Sequence, residues 1–172
     1  MMFKKGEIWG YPTDTSFGLG VRADDKIGLE NLAKLKSREK NMFFSLMVRD
    51  LDMLQEFAEI PAKLRCEMYT FFTQTPRTAI LKPTSKLPQS KFWPNDKVAF
   101  RVCTIPEISR EIDFPITATS ANISGKPAIY STAGIREIFG EEVQIFAGIE
   151  KLPEVEASEI WDFTVEPAQR IR

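Results

Sequence analysis

Apolar residues fall along this chain in short bursts, and the bursts switch between strand-like and helix-like spacing. Glu7 to Tyr11 reads as a first strand; Pro12 ends it, and Gly18 and Gly20 mark a turn. Asp24 or Asp25 then caps a helix whose apolar residues are Ile27, Leu32 and Leu35, and which should fade between Lys36 and Lys40. Phe43 to Val48 looks like a buried strand. Leu51 to Phe57 is a short helix with Asp50 as its cap, and Pro61 opens another running to about Phe72, with Leu64, Met68 and Phe71 or Phe72 inward. Thr78 to Leu81 and Val98 to Val102 read as strands. Pro106 starts a short helix to Ile112, and the strand Ile116 to Thr119 runs into Ser120. Ser131 caps a helix containing Ile135, Ile138 and Phe139, followed by strands at Val143 to Phe146 and Ile160 to Val165. Strands alternating with helices over the whole length predict an α/β sheet covered by helices, with ligand sites at the strand ends.

A chain of 172 residues, 43% hydrophobic and 27% charged, suits one folded domain, 1–172, that needs no disulfide or structural metal. Cys66 and Cys103 stand far apart, form no C-x-x-C, and read as two buried thiols in a reducing compartment. The longest apolar run, Met42 to Val48, is too short to span a membrane, and no signal-peptide apolar region follows the N-terminus. The expectation is a cytoplasmic protein with no membrane partner. Histidine is absent, which excludes Ser-His-Asp and Cys-His triads and histidine metal sites. Charge is uneven: residues 1–101 hold 17 Lys+Arg and 12 Asp+Glu, a balance of +5, while residues 102–172 hold 6 and 12, a balance of −6. That permits a basic face for polyanions, although solvated surface charge accounts for it equally well.

Two familiar motifs fail on inspection. Gly18-x-Gly20-x-x-Ala23 fits the loose dinucleotide fingerprint, but Pro12 to Phe17 separate it from its strand and no suitable acidic residue follows. Gly125-Lys126 lacks the earlier glycine and the following hydroxyl of a phosphate-binding loop; those positions are Ser120 and Pro127.

Three polar segments carry more. Thr13-Asp14-Thr15, just after a strand, offers two hydroxyls and a carboxylate, suited to the amino and carboxyl groups of an amino acid or to ordinary turn chemistry. Lys36 and Arg38 would converge in an extended or turning segment and present two fixed cations to a triphosphate; the alternative is two solvated cations at a helix C-terminus. Ser120 and Asn122 share that spacing within a run of small polar residues, Thr117 to Gly125. Small side chains there let backbone N–H groups approach an anion, and Asn122 can orient a phosphate or ribose oxygen; a polar loop with a glycine turn is the plain alternative.

Taken in order, these segments resemble the YrdC-like threonylcarbamoyl-adenylate synthases. Tyr11 to Gly20 resembles the family's Y-P-T-[DE]-T-x-[YF]-G-L-G, Lys36-Ser37-Arg38 its K-x-R, Val98 to Val102 its V-A-[VF]-R-[VI], and Ser120 to Gly125 its S-A-N-x-S-G; Ser158 to Asp162 is similar to a late segment of short bacterial members. The resemblance implies a YrdC-like twisted mixed β-sheet flanked by helices, with a concave, positively charged cleft. It implies that L-threonine, bicarbonate and ATP give threonylcarbamoyl-adenylate and pyrophosphate, and that partner proteins pass the group to tRNA. It puts Lys36, Arg38, Ser120 and Asn122 in catalysis, those four with Thr117 and Ser158 around ATP, Thr13 and Arg101 on threonine, and Mg2+ on the phosphates. Two other readings stay open: a non-catalytic RNA-binding protein, for tRNA or double-stranded RNA, and an enzyme hydrolysing acyl-adenylates. The chain departs from the pattern at Gln74-Thr75-Pro76-Arg77-Thr78, where P-G-P-x-T is usual, at Glu39, where a proline is usual, and before its first strand, where a helix is common. The expectation is the short, single-domain form of the family. Lys36 to Leu51 is also similar to a sister group that lacks the S-A-N element.

Overall fold

The computed structural model describes residues 2–37, 43–74 and 76–172. Arg38, Glu39 and Thr75 therefore lie outside the described residues.

The chain begins with a hairpin. β1 (Trp9–Pro12) pairs antiparallel with β2 (Phe17–Gly20) through the four-residue turn 13–16. Thr13 builds that turn: its hydroxyl donates to Ser16 O at 2.7 Å and accepts from the backbone N–H of Thr15 and Ser16 at 3.2 and 3.3 Å. Gly18 and Gly20 thus belong to a strand, not to a turn. A Cβ on Gly20 would stand 2.7 Å from carbons of both Phe3 and Tyr11, whose buried rings meet edge to face. The missing side chain makes room for that aromatic pair.

α1 (Lys26–Leu35) starts where Asp25 accepts from Gly28 N at 3.0 Å and also from Gly6 N at 2.6 Å. Its inward stripe is Gly28, Leu29 and Leu32, so Ile27, expected inside, lies on the other side and is 72% exposed. β3 (Leu46–Val48) is shorter than the apolar run suggested. α2 (Leu51–Phe57) is capped by Asp50, which accepts from Met53 N at 2.8 Å. A short 3₁₀ turn after Pro61 leads into α3 (Arg65–Gln74), which buries Met68, Phe71 and Phe72. β4 (Arg77–Leu81), β5 (Val98–Val102) and the one-turn α4 (Pro106–Ser109) follow. β6 (Ile116–Thr117) and β7 (Thr119–Ser120) replace the expected single strand. α5 (Thr132–Phe139) has Ser131 as its cap and turns Ile135 and Phe139 inward, while Ile138 is exposed. β8 (Gln144–Ile145), β9 (Glu159–Asp162) and β10 (Gln169–Arg170) complete the described strands.

The strands form two sheets, ordered β7-β2-β1-β8 and β10-β9-β4-β5-β3-β6. Both are mixed: β1 with β8, β3 with β5 and β4 with β9 are parallel, and the other pairings are antiparallel. Buried residues of both sheets, Tyr11 and Leu19 of the smaller and Leu46 and Phe100 of the larger, belong to one hydrophobic core. The junction is the stretch 116–120. Its first half pairs with β3 of the larger sheet and its second half with β2 of the smaller, and Ala118 between them donates its N–H to Ser45 O at 2.8 Å. Thr117 locks the crossing. Its hydroxyl donates to Leu19 O and accepts from Val21 N, both at 3.0 Å, and its carbonyl accepts from the Tyr11 hydroxyl at 2.8 Å.

The cysteines differ from the sequence reading. Cys66 is exposed and Cys103 half-buried. No described helix is long and apolar enough to cross a membrane.

Candidate active site

Residues of both sheets line a cavity of about 300 Å³. Its walls come from the hairpin turn and β2, the sheet crossing, the middle strands of the larger sheet and the segment 155–158. Thr13, Thr15, Arg101, Ser120 and Ser158 all line it, so residues more than 140 positions apart in sequence face one space. Among the described lining residues the charged side chains are Arg101 and Arg172.

Arg101 sits on β5 and is buried, yet it opens onto the cavity. Its Nη2 is paired with the Asp14 carboxylate, and its Nη1 approaches the Thr15 hydroxyl at 3.4 Å. That hydroxyl lies 3.1 Å from Thr13 Oγ1. Since Thr13 already donates to Ser16 O, the protons order themselves: Arg101 donates to Thr15, Thr15 to Thr13, and Thr13 to the carbonyl. The two residues that the resemblance puts on threonine are thus linked through Thr15. Thr13 is occupied in building the turn, and Arg101 brings a positive charge from the same network to the cavity.

Across the site, Lys36 is 2% exposed and reaches beneath the loop that follows β7. It continues the inward stripe of α1 one turn beyond Leu32, which is why its side chain points into the protein. Its ammonium donates to Ser120 O, to Asn122 O at 2.8 Å and to Asn122 Oδ1 at 3.3 Å. The loop closes further around it: Ser124 N donates to Lys36 O at 3.0 Å, Ser120 Oγ donates to Asn122 Oδ1 at 2.6 Å, and Asn122 Nδ2 donates to Lys126 O.

This arrangement separates the expected residues. Ser120 and Ser158 face the cavity; Ser158 shares a 2.9 Å hydrogen bond with Thr78, a cavity hydroxyl the sequence reading missed. Lys36, Asn122 and Thr117 are not among the cavity's lining residues; Lys36 and Thr117 are buried, and Asn122 is half-buried and bonded within the loop. The backbone N–H groups of Ala121, Asn122 and Ser124, expected to meet an anion, donate to protein carbonyls instead. Arg172 was also missed. Its guanidinium reaches Ser158 O at 3.0 and 3.1 Å, a contact made by chain topology with no local motif to mark it.

The same frame recurs in known proteins. The family model for Sua5, YciO and YrdC proteins, described as "Telomere recombination", matches residues 1–172. The chain belongs to the Sua5/YciO/YrdC family. Within it, a protein of Mannheimia succiniciproducens named threonylcarbamoyl-AMP synthase is 33% identical over 144 residues, covering 80% of this chain and 78% of its own. P. abyssi Sua5, solved as a complex with L-threonine, superposes with a TM-score of 0.83 at 27% identity. The match covers 97% of this chain but 50% of that one, so this chain spans about half the length of Sua5. E. coli YciO superposes at 0.80 over 97% of this chain and 82% of its own; at 22% identity it speaks for the mixed α/β fold alone.

Proposed function

We propose that this family member makes threonylcarbamoyl-adenylate and pyrophosphate from L-threonine, bicarbonate and ATP. The observation that carries the reading is the meeting of Arg101 with the hydroxyls of Ser120 and Ser158 in one cavity, in a chain 33% identical to a protein named for that synthesis. The threonine bound to P. abyssi Sua5 supports an amino acid as one ligand.

Threonine's amine and bicarbonate first give a carbamate with loss of water. A carbamate oxygen then attacks the α-phosphorus of ATP, and the bond to the β-phosphate breaks to release pyrophosphate. This displacement needs alignment and charge neutralisation more than a protein nucleophile, which suits a chain without histidine. Arg101 would take the threonine carboxylate, as a planar donor already oriented by its neighbours. Ser120 and Ser158 would contact the nucleotide from the cavity wall. Lys36 and Asn122 would act by fixing the Ser120 loop, and Arg38 is proposed on its motif alone.

Magnesium would arrive on the ATP phosphates. The product would pass to tRNA-modifying partner proteins in the cytoplasm. The test is pyrophosphate release by the purified chain with ATP, magnesium and bicarbonate, with and without L-threonine. Threonine-dependent release is the expected result; folded protein with no such release rejects the reading.

A further inference from the structure

Asp14 has no place in the chemistry above, and it does not line the cavity. Its carboxylate nevertheless pairs with Nη2 of Arg101, the guanidinium that opens onto that cavity. Thr15 holds the other arm, accepting from Nη1 at 3.4 Å. A guanidinium carries five N–H donors in one plane, so these two contacts fix its rotation and leave other donors for a ligand. Asp14 also supplies the counter-charge for a buried cation, which would otherwise carry a large desolvation cost. Resting on the threonine reading, we propose that Asp14 is the positioning residue that sets Arg101 for the substrate carboxylate, with Thr15 as the second arm of the same holder.

The proposal separates two roles a carboxylate at this place can play. As a holder, Asp14 pre-orients the guanidinium, and its loss weakens threonine binding. As a competitor, it occupies the donors that threonine needs, and its loss tightens binding. The pairing of Asp14 with one arm and Thr15 with the other favours the holder, because both partners grip Arg101 from residues of the hairpin turn that also contains Thr13. The turn and the arginine then form one rigid unit.

The experiment measures the KM for threonine and the KM for ATP by pyrophosphate release, and titrates threonine directly by calorimetry, for wild type, Asp14→Asn and Asp14→Glu. Losing a charge-assisted hydrogen bond that orients the binding group is expected to raise the KM for threonine about tenfold or more in Asp14→Asn. The KM for ATP should stay within about twofold of wild type, since the Ser120 wall is untouched. Asp14→Glu, which restores a carboxylate, should recover much of the loss. A KM for threonine that is unchanged or lower in Asp14→Asn overturns the proposal, as does an equal rise for ATP, which would mark a general structural defect. If Asp14→Asn does not fold, Thr15→Val removes the second arm and must raise the threonine KM in the same selective way. If wild type binds threonine without turnover, the synthase reading fails while calorimetry still tests Asp14. If it does neither, both fail.

Discussion

Lys36 holds its loop through contacts to the backbone carbonyls of Ser120 and Asn122 and to Asn122 Oδ1. Replacing it by methionine keeps the length of the side chain but removes the ammonium from Asn122 O and Asn122 Oδ1, and leaves Ser120 O with the Asn122 N–H at 2.9 Å. The expected cost is about 2 kcal/mol in urea unfolding, together with loss of threonine-dependent turnover. Gly20 makes a second residue-scale prediction. An alanine there would push its Cβ against Phe3 and Tyr11, and neither ring has room to yield because both are buried against each other. Gly20→Ala should destabilise by about 1–3 kcal/mol in the same assay. The cysteines make a third. Burial, reinforced by the nearby Asp14 carboxylate, pushes the Cys103 thiol up to about 11, although a backbone hydrogen bond from Ile105 and the Arg101 guanidinium pull the other way. Only the thiolate reacts readily, so an alkylating reagent near neutral pH should label Cys66 fast and Cys103 slowly in folded protein, and both at similar rates after denaturation.

Among the elements, those with both a cap and a periodic face were readable in advance. Asp25, Asp50 and Ser131 each accept a hydrogen bond from the residue three positions on, and the helices they start lie where the apolar spacing put them. Val98–Val102 is a five-residue strand at its expected limits. β2 escaped notice because its glycines imitate a turn, while their actual cause is an aromatic pair that comes together only in three dimensions. β10 has two exposed residues and exists only by pairing with β9, so no hydrophobic pattern could mark it. The end of β9 carries a pH prediction. Burial alone pushes Asp162 upward, but the hydroxyl and backbone N–H of Thr164, at 2.6 and 2.8 Å, and the Lys97 ammonium outweigh it, so the carboxyl titrates below the ordinary aspartate value of 3.8. A depressed pKa adds stability above the unfolded value and loses it as pH falls through the folded one. Wild type should therefore exceed Asp162→Asn in unfolding free energy near neutral pH, and the gap should close as the pH drops below about 4.

At the scale of the whole molecule, the cavity is lined in part by a sheet switch. A single residue, Ala118, carries the chain from one sheet to the other, and it lines the same space that Arg101 and Ser120 share. The segments bearing the site were legible as polar runs at strand ends. Their division of labour was not. Two-residue spacing could not show that Lys36 continues the buried stripe of α1, or that the Asn122 amide would bond within the loop. Thr78 and Arg172 enter the site through long-range pairing, which leaves no local signal. The central claim is that one cavity joins threonine, bicarbonate and ATP into a mixed anhydride. The most direct measurement supplies carbon-labelled bicarbonate with threonine, ATP and magnesium and analyses the nucleotide products by mass spectrometry. The account predicts an adenylate that carries both threonine and the labelled carbon, formed with pyrophosphate. AMP and pyrophosphate without that adduct, or no turnover of ATP by folded protein, would contradict it.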